Sequence, residues 1–449
     1  MSLRFIAALL TGMFLSSAAL AADTVNVDLT ATLPAGVSGI PIYVMIDNKA
    51  APTNGGLFTV PAAGLHLSFT GNWPGTSAHE VGVKLNTYTS GEILHVFSSS
   101  IDGRTVNGAD LAKVAWSKME FPVSLFTAPF VVGVNLSGLE MNSGKKPGKA
   151  STDYAVIKPT SLDYYAGKGI KLIRLPILWE RLQPNIQAAT PSYAPNAAYL
   201  KYITDVLDHA ATIGATVIVD IHNYGNYNAV KMGGTGAVSA AQFQAAWTAI
   251  ATALNNHVGL AGLDLMNEPN GFPTGDVWPA LAQAGINGIR AVDKSDTIYV
   301  EGDAYASASG WATHSQTLNK LVDPSGKLVF QAHAYGDRDG SGTHFKWADE
   351  VATGKVSVDT IAQRVDVFGQ WCKTNHVRCM IGEIGVGNDN AAWNTELANG
   401  IAKMKVDGLE SMTYWAGGPW WGANYPMSVE PLNGADRSQL PTLVSAETN

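Results

Sequence analysis

Residues 264–270 read Asp-Leu-Met-Asn-Glu-Pro-Asn, which sets an amide, Asn267, beside a carboxylate, Glu268, at the end of an apolar run. A second carboxylate, Glu383, closes another such run in "RCMIGEIGVG". Two carboxyl groups brought to one place can split a glycosidic bond, one protonating the leaving oxygen while the other attacks or guides water at the anomeric carbon. Their separation decides the stereochemistry, roughly 5 to 5.5 Å for retention and about 6.5 to 9.5 Å for inversion. Other apolar runs also end on reactive types. Asn135 and Glu140 follow "FVVGVNLSG", Arg174 lies in "IKLIRLPILW", and His222 with Asn223 ends "ATVIVDIHNY". His333 and Tyr335 end "LVFQAHAYG", and Trp415 stands in "LESMTYWAGG". One polar residue at one strand end is ordinarily a satisfied structural group, but nearly every run supplies one here, and together they define a site if the runs converge.

The elements that would make them converge are legible from residue 128 onward. With "LAGLDLMNEP" and "DTIYVEGDAY" the apolar strand-like runs number eight, and amphipathic segments such as "AAYLKYITDVLDHAATIG" and "VDTIAQRVDVFGQWCKTN" separate them. Apolar strands alternating with helices require a parallel sheet covered on both faces, and eight repeats fit a (β/α)₈ TIM barrel, whose site lies at the C-terminal ends of its strands. A doubly wound open sheet is the alternative, but no Gly-x-Gly-x-x-Gly follows the first strand. Residues 23–127 differ in texture. Short runs such as "TVNVDLTATL", "PIYVMIDNK" and "HEVGVKLNT" alternate apolar and polar positions between Gly, Pro, Asn and Ser. That pattern predicts a small all-β sandwich preceding the α/β domain at 128–449. Trp73 and Trp116 are its candidates for sugar stacking; the competing reading is a structural prop.

Composition narrows the partners. Of 449 residues 46% are hydrophobic and only 15% charged, with a net charge of -8. No basic surface is available to neutralise phosphates, so nucleic acid is excluded. Twelve Trp, 15 Tyr and 46 Gly suit a surface that stacks on neutral polar ligands, although core filling accounts for most aromatics. At the N-terminus Arg4 precedes an apolar run that ends in Ala19-Leu20-Ala21, the pattern of a cleaved signal peptide over residues 1–21. The run is shorter than the roughly 20 residues of a membrane span, so an exported protein, secreted or periplasmic and free of the membrane after cleavage, is expected, acting as a monomer. The two cysteines, Cys372 and Cys379 in "WCKTNHVRC", either close a short disulfide loop in that oxidising compartment or remain buried thiols. A metal site drawn from His333, Asp337, Asp339 and His344 competes with a turn-rich loop in "HAYGDRDGSGTH"; the loop is preferred, and no metal or cofactor is expected.

The set "IRLPI", "DIHNY", "DLMNEP", "HAY", "GEIG" and "YWAGG" resembles glycoside hydrolase family 5, also called cellulase family A. The resemblance spans about residues 130–432, and "GVNLSGLE" and "GPWWGANYPMSVEP" are similar to its subfamily 5 endo-β-1,4-glucanases. It implies a retaining hydrolase with Glu268 as acid/base and Glu383 as nucleophile. Arg174 and Tyr335 would hold the nucleophile, Asn267 would bind the sugar 2-hydroxyl, His222 and His333 would position substrate, and Trp415 would stack on the sugar. Trp179, Trp311, Trp420 and Trp421 are further candidates for lining the cleft. The implied substrate is cellulose or another β-1,4-glucan. Mannan, xyloglucan or mixed-linkage glucan are the alternatives, and a barrel that binds sugar without cutting it is the reading from another class. In the sandwich, "SAHEVGVKLNTYTSGEILHVFSSSIDGRTVNG" resembles part of calcium-dependent xylan-binding modules but lacks their Asn-Asp pair and Asp-Arg-Asn run, so no calcium site is expected.

Overall fold

Along the strand Ile40–Ile46, Ile40, Ile42, Val44 and Ile46 are buried while the residues between them are partly exposed, the period-2 signature of a sheet with one dry face. The computed structural model describes residues 23–71, 79–101, 104–121 and 130–448. The predicted leader at 1–21 and Trp73 lie outside them. The chain divides into two compact units, Met1–Phe126 and Thr127–Asn449.

In the first unit one antiparallel sheet runs in the order Leu65–Gly71, Asp23–Thr32, Ile93–Ile101, Arg104–Asn107. The other runs Lys49–Ala50, Ile40–Ile46, His79–Leu85, Trp116–Phe121, with Leu57–Val60 also paired to Ile40–Ile46. Val25, Val27 and Leu29 from the first and Ile42, Val44 and Val83 from the second share one core, so the sheets form a sandwich. Trp116 is 36% exposed on the outer face. Its ring lies over Gly82, and the Lys84 ammonium sits 4.9 Å from its centroid.

The second unit is a closed barrel of eight strands in sequence order, all parallel. They are β1 (Val131–Leu136), β2 (Leu172–Ile177), β3 (Thr216–Ile221), β4 (Leu260–Asp264), β5 (Thr297–Glu301), β6 (Leu328–His333), β7 (Arg378–Ile384) and β8 (Ser411–Gly417). Alternation along these strands sorts the residues into two environments. Ile173, Val217, Val219, Ile298, Val300, Phe330 and Ile381 face outward and pack with the helices in one large core. Leu172, Ile218, Tyr299, Val329 and Met380, near the strand starts, form a separate cluster that fills the lower barrel interior. Two residues further along the same strands the interior turns polar: Arg174, Asp220, Glu301 and Gln331 are fully buried. Gly382, at the corresponding place in β7, makes room for this layer, since a methyl there would lie 2.2 Å from the Gln331 side chain. A further two residues on stand His222 and His333, at the mouth.

Cys372, in the helix Thr360–Asn375, is bonded to Cys379 in β7. The bridge spans a sequence separation of 7, and a loop that short restricts the unfolded chain by about 2–3 kcal/mol. A Cys372→Ser/Cys379→Ser variant should therefore lose about that much stability in urea denaturation; a midpoint and slope unchanged from the parent would show that the bridge contributes nothing.

Candidate active site

The site is organised around Arg174, whose guanidinium is fully buried and therefore needs a partner for every donor. Nε donates to Asp264 Oδ2 at 3.0 Å, and Nη1 donates to Asn135 Oδ1 and Glu383 Oε1, both at 2.9 Å. Nη2 donates to Asn267 Oδ1 at 2.9 Å and Glu301 Oε1 at 2.8 Å, and lies 2.9 Å from Asp220 Oδ2. One cation on β2 thereby fixes groups from β1, β3, β4, β5 and β7.

Glu383, in β7, is held on both oxygens, by Arg174 at Oε1 and by the Tyr335 hydroxyl, 2.5 Å away, at Oε2. Glu268, just beyond β4, has a different environment. Its side chain is 16% exposed against 4% for Glu383, its backbone is left-handed at φ 44, and its carboxylate meets His333 Nδ1 at 2.8 Å. A left-handed backbone at a non-glycine residue is uncommon and persists only where surrounding bonds hold it. Here the Glu268 N–H donates to Glu301 Oε2 at 2.6 Å. One carboxylate oxygen of Glu268 lies within 4.8 Å of one of Glu383.

Around this pair, Asn267 gives its oxygen to Arg174 while its buried Nδ2 has no partner among the described residues. His222 Nδ1 is 2.8 Å from Asp220 Oδ2, and its ring stacks on Trp415 with centroids 5.4 Å apart. Trp415 shares a cluster with Tyr335, Ala416 and Met427, and the peptide between Trp415 and Ala416 is cis. Trp421 approaches Trp415 edge-on at 6.0 Å and stacks on Tyr425 at 4.0 Å. Trp420 is half-buried in the same loop.

Charge is distributed unevenly. Burial lowers the His222 pKa to about 4, outweighing the surrounding carboxylates, so this ring is neutral. Burial would do the same to His333, but Glu301 and Glu383 reverse it and hold the ring well above its ordinary value. Asp220 and Asp264 are pushed well up by burial, more than Arg174 brings them down. Glu301 stays low despite burial, because of His333, Arg174 and the Glu268 N–H. The interior thus keeps two cations, Arg174 and His333, against the ionised Glu301, and burial holds Asp220 and Asp264 toward their neutral forms.

Two of the expected cleft aromatics are elsewhere. Trp179 is fully buried behind the barrel, edge-on to Tyr227 and Phe243, with Nε1 donating to Gln183 Oε1 at 2.7 Å. Trp311 is fully buried against Phe368 and Trp371. Each opens a four-residue helix, Trp179–Leu182 and Trp311–His314, and packs in the core between strands and helices, away from the mouth. Asn135 belongs to the Arg174 network. Glu140 and Asn223 tie loops instead: Glu140 accepts from Ser137 and the Gly138 N–H, and Asn223 links the Trp179 N–H to Glu180. The supposed metal quartet is divided. His333 stands with the glutamates, whereas Asp337 accepts the backbone N–H groups of Gly342, Thr343 and His344 and closes the 337–344 loop. Asp220, Asp264 and Glu301, which the strand-end reading passes over, lie where an interior arginine needs countercharge, and that need is the signal that finds them.

A parallel eight-stranded barrel with paired carboxylates at its C-terminal mouth defines a barrel glycoside hydrolase. The chain belongs to glycosyl hydrolase family 5: residues 127–420 match the family described as Cellulase (glycosyl hydrolase family 5). It is 33% identical over 353 residues to endo-beta-1,4-glucanase B of Emericella nidulans, covering 77% of this chain and 99% of that protein. Among solved structures it resembles Pseudomonas stutzeri endoglucanase Cel5A in complex with cellobiose, at 32% identity and a TM-score of 0.65, covering 71% of this chain and 92% of that one. An endo-beta-1,4-glucanase of Xanthomonas axonopodis pv. citri matches at 31% identity and a TM-score of 0.65, covering 71% and 99%.

Beneath the Tyr335 segment lies a carboxyl outside the site. Glu396, in the helix Ala392–Asp407, is fully buried and packs so closely under Gly336 that a methyl there would lie 2.6 Å from its oxygen. Burial raises its pKa to about 8. The unfolded chain releases this proton near the ordinary glutamate value of 4.5 and the fold only near 8, so the folded state binds more protons between the two. Stability present at pH 4.5 is lost as pH rises to about 8, a loss of roughly 3–5 kcal/mol at 1.36 kcal/mol per unit. Glu396→Gln should raise the denaturation midpoint at pH 8 and leave it nearly unchanged at pH 4.5. An equal shift at both pH values would mean that this carboxyl does not titrate as described.

Proposed function

We propose that the chain is an endo-β-1,4-glucanase that cuts internal bonds of cellulose or soluble β-glucan with net retention, through two displacements carried out by Glu383 and Glu268. The observation that carries this reading is the approach of the two carboxylates to within 4.8 Å. That approach supports direct attack by one carboxylate, the short-separation case, over the wider gap that an inverting site leaves for water.

In the first displacement the ionised Glu383 attacks the anomeric carbon while Glu268 gives its proton to the glycosidic oxygen, and the bond between them breaks. Arg174 and Tyr335 hold the Glu383 oxygens in place for attack. His333 donates to Glu268 Oε1, which leaves Oε2 to carry the proton toward the leaving group. In the second displacement Glu268 takes a proton from water, the water oxygen bonds to the anomeric carbon, and Glu383 departs. The free Nδ2 of Asn267 is suited to donate to the sugar 2-hydroxyl, a bond that strengthens as positive charge develops on the ring. Trp415, backed by His222, offers a face to the same sugar, and Trp421 extends that aromatic wall.

Residues 128–449 are proposed as the catalytic domain, residues 23–127 as an accessory domain and residues 1–21 as an export signal. No helix among the described residues is long and apolar enough to cross a membrane.

Reducing-end release should be seen with carboxymethyl cellulose and mixed-linkage glucan, and should fall by a factor on the order of 10⁴ or more in Glu383→Gln. Cleavage of mannan, xyloglucan or xylan in their place would transfer the assignment to another β-glycan. Proton NMR of the first product formed should show the β-anomer; an α-anomer would refute double displacement.

A further inference from the structure

We infer that Glu301 is a positioning residue for the acid/base glutamate, holding Glu268 at once through its backbone and through His333. This rests on the assignment of Glu268 proposed above. Glu301 is the last residue of β5 and is fully buried, so each bond it makes is made without competition from water.

Its two oxygens divide the task. Oε2 accepts the Glu268 N–H at 2.6 Å, at the residue whose φ of 44 takes the backbone out of the ladder. Oε1 accepts from Arg174 Nη2 and Gln331 Nε2, both at 2.8 Å, and lies 3.2 Å from His333 Nε2, an ion-pair contact short of hydrogen-bond alignment. The other nitrogen of that ring, Nδ1, meets Glu268 Oε1 at 2.8 Å. A neutral imidazole carries one N–H, so a ring that faces a carboxylate from each nitrogen does so best as the imidazolium. Glu301 therefore supplies the charge that keeps His333 donating to Glu268. Asp220 and Asp264, the other buried acids of the layer, touch neither Glu268 nor His333 in any bond of this network.

A residue that aims the general acid leaves a specific kinetic mark. A leaving group that departs without a proton does not need the acid, whereas one that needs the proton does. Glu301→Gln is to be compared with the parent on two aryl β-cellobiosides, one with a 2,4-dinitrophenyl leaving group and one with unsubstituted phenyl. kcat/KM should fall about 10-fold or more on the phenyl glycoside and less than about 3-fold on the dinitrophenyl one. Equal falls on both would overturn the inference, because damage transmitted through Arg174 to Glu383, or to the fold, strikes the attack itself. If Glu301→Gln does not fold, Glu301→Asp, which keeps the charge and shortens the reach, is read on the same pair. Glu268→Ala is measured beside them. Should that variant show no dependence on the leaving group, Glu268 is not the acid and the parent assignment fails, whatever Glu301 does.

Discussion

The enzyme is built around one guanidinium that has no access to water. A buried cation is tolerable only when its donors are met and its charge compensated, and the bonds of Arg174 to Asp264, Asn135, Glu383, Asn267 and Glu301 meet that requirement. The same requirement makes the site rigid, since none of those acceptors can move without leaving a donor unpaired. Glu383 and Asn267 are set relative to one another by a single planar fork, and Glu268 is set relative to the fork through Glu301. A lysine, with a compact point charge, would not reproduce this.

The second constraint is electrostatic balance in a confined volume. Four buried carboxyl groups, on Asp220, Asp264, Glu301 and Glu383, surround Arg174. Ionising all of them beside Arg174 and His333 would leave net negative charge in a low dielectric, and burial resolves this by keeping Asp220 and Asp264 toward their neutral forms. The two histidines diverge for the same reason: His333 lies against Glu301, which is held low, whereas the carboxyl bonded to His222 among the described residues is the pushed-up Asp220.

Much of this was legible beforehand. The barrel follows from eight apolar runs with helical spacers, and the convergence of Asn267, Glu268, His333, Tyr335 and Glu383 follows from their places at or near strand ends, with Arg174 inside β2 beneath them. What escaped the reading was depth. Asp220 and Glu301 stand two residues beyond Ile218 and Tyr299 on the inward side of their strands, a parity that is visible once Arg174 is accepted as interior. Nothing local distinguishes an aromatic that turns to the mouth from one that turns to the helices. Trp415 stands within β8, whereas Trp179 just after β2 and Trp311 in the loop region after β5 open short helices that carry them outward. Their direction is a tertiary fact.

That burial governs how the enzyme would look to light. Five of its 12 tryptophans, Trp179, Trp247, Trp278, Trp311 and Trp393, are fully enclosed in apolar surroundings and would emit at short wavelength whether or not a glucan chain is bound. The indoles at the mouth, Trp415 and Trp421, emit against that constant background. Total intrinsic fluorescence is thus a sensitive gauge of unfolding and a blunt gauge of ligand, and quenchers dissolved in water would sample the mouth long before the core.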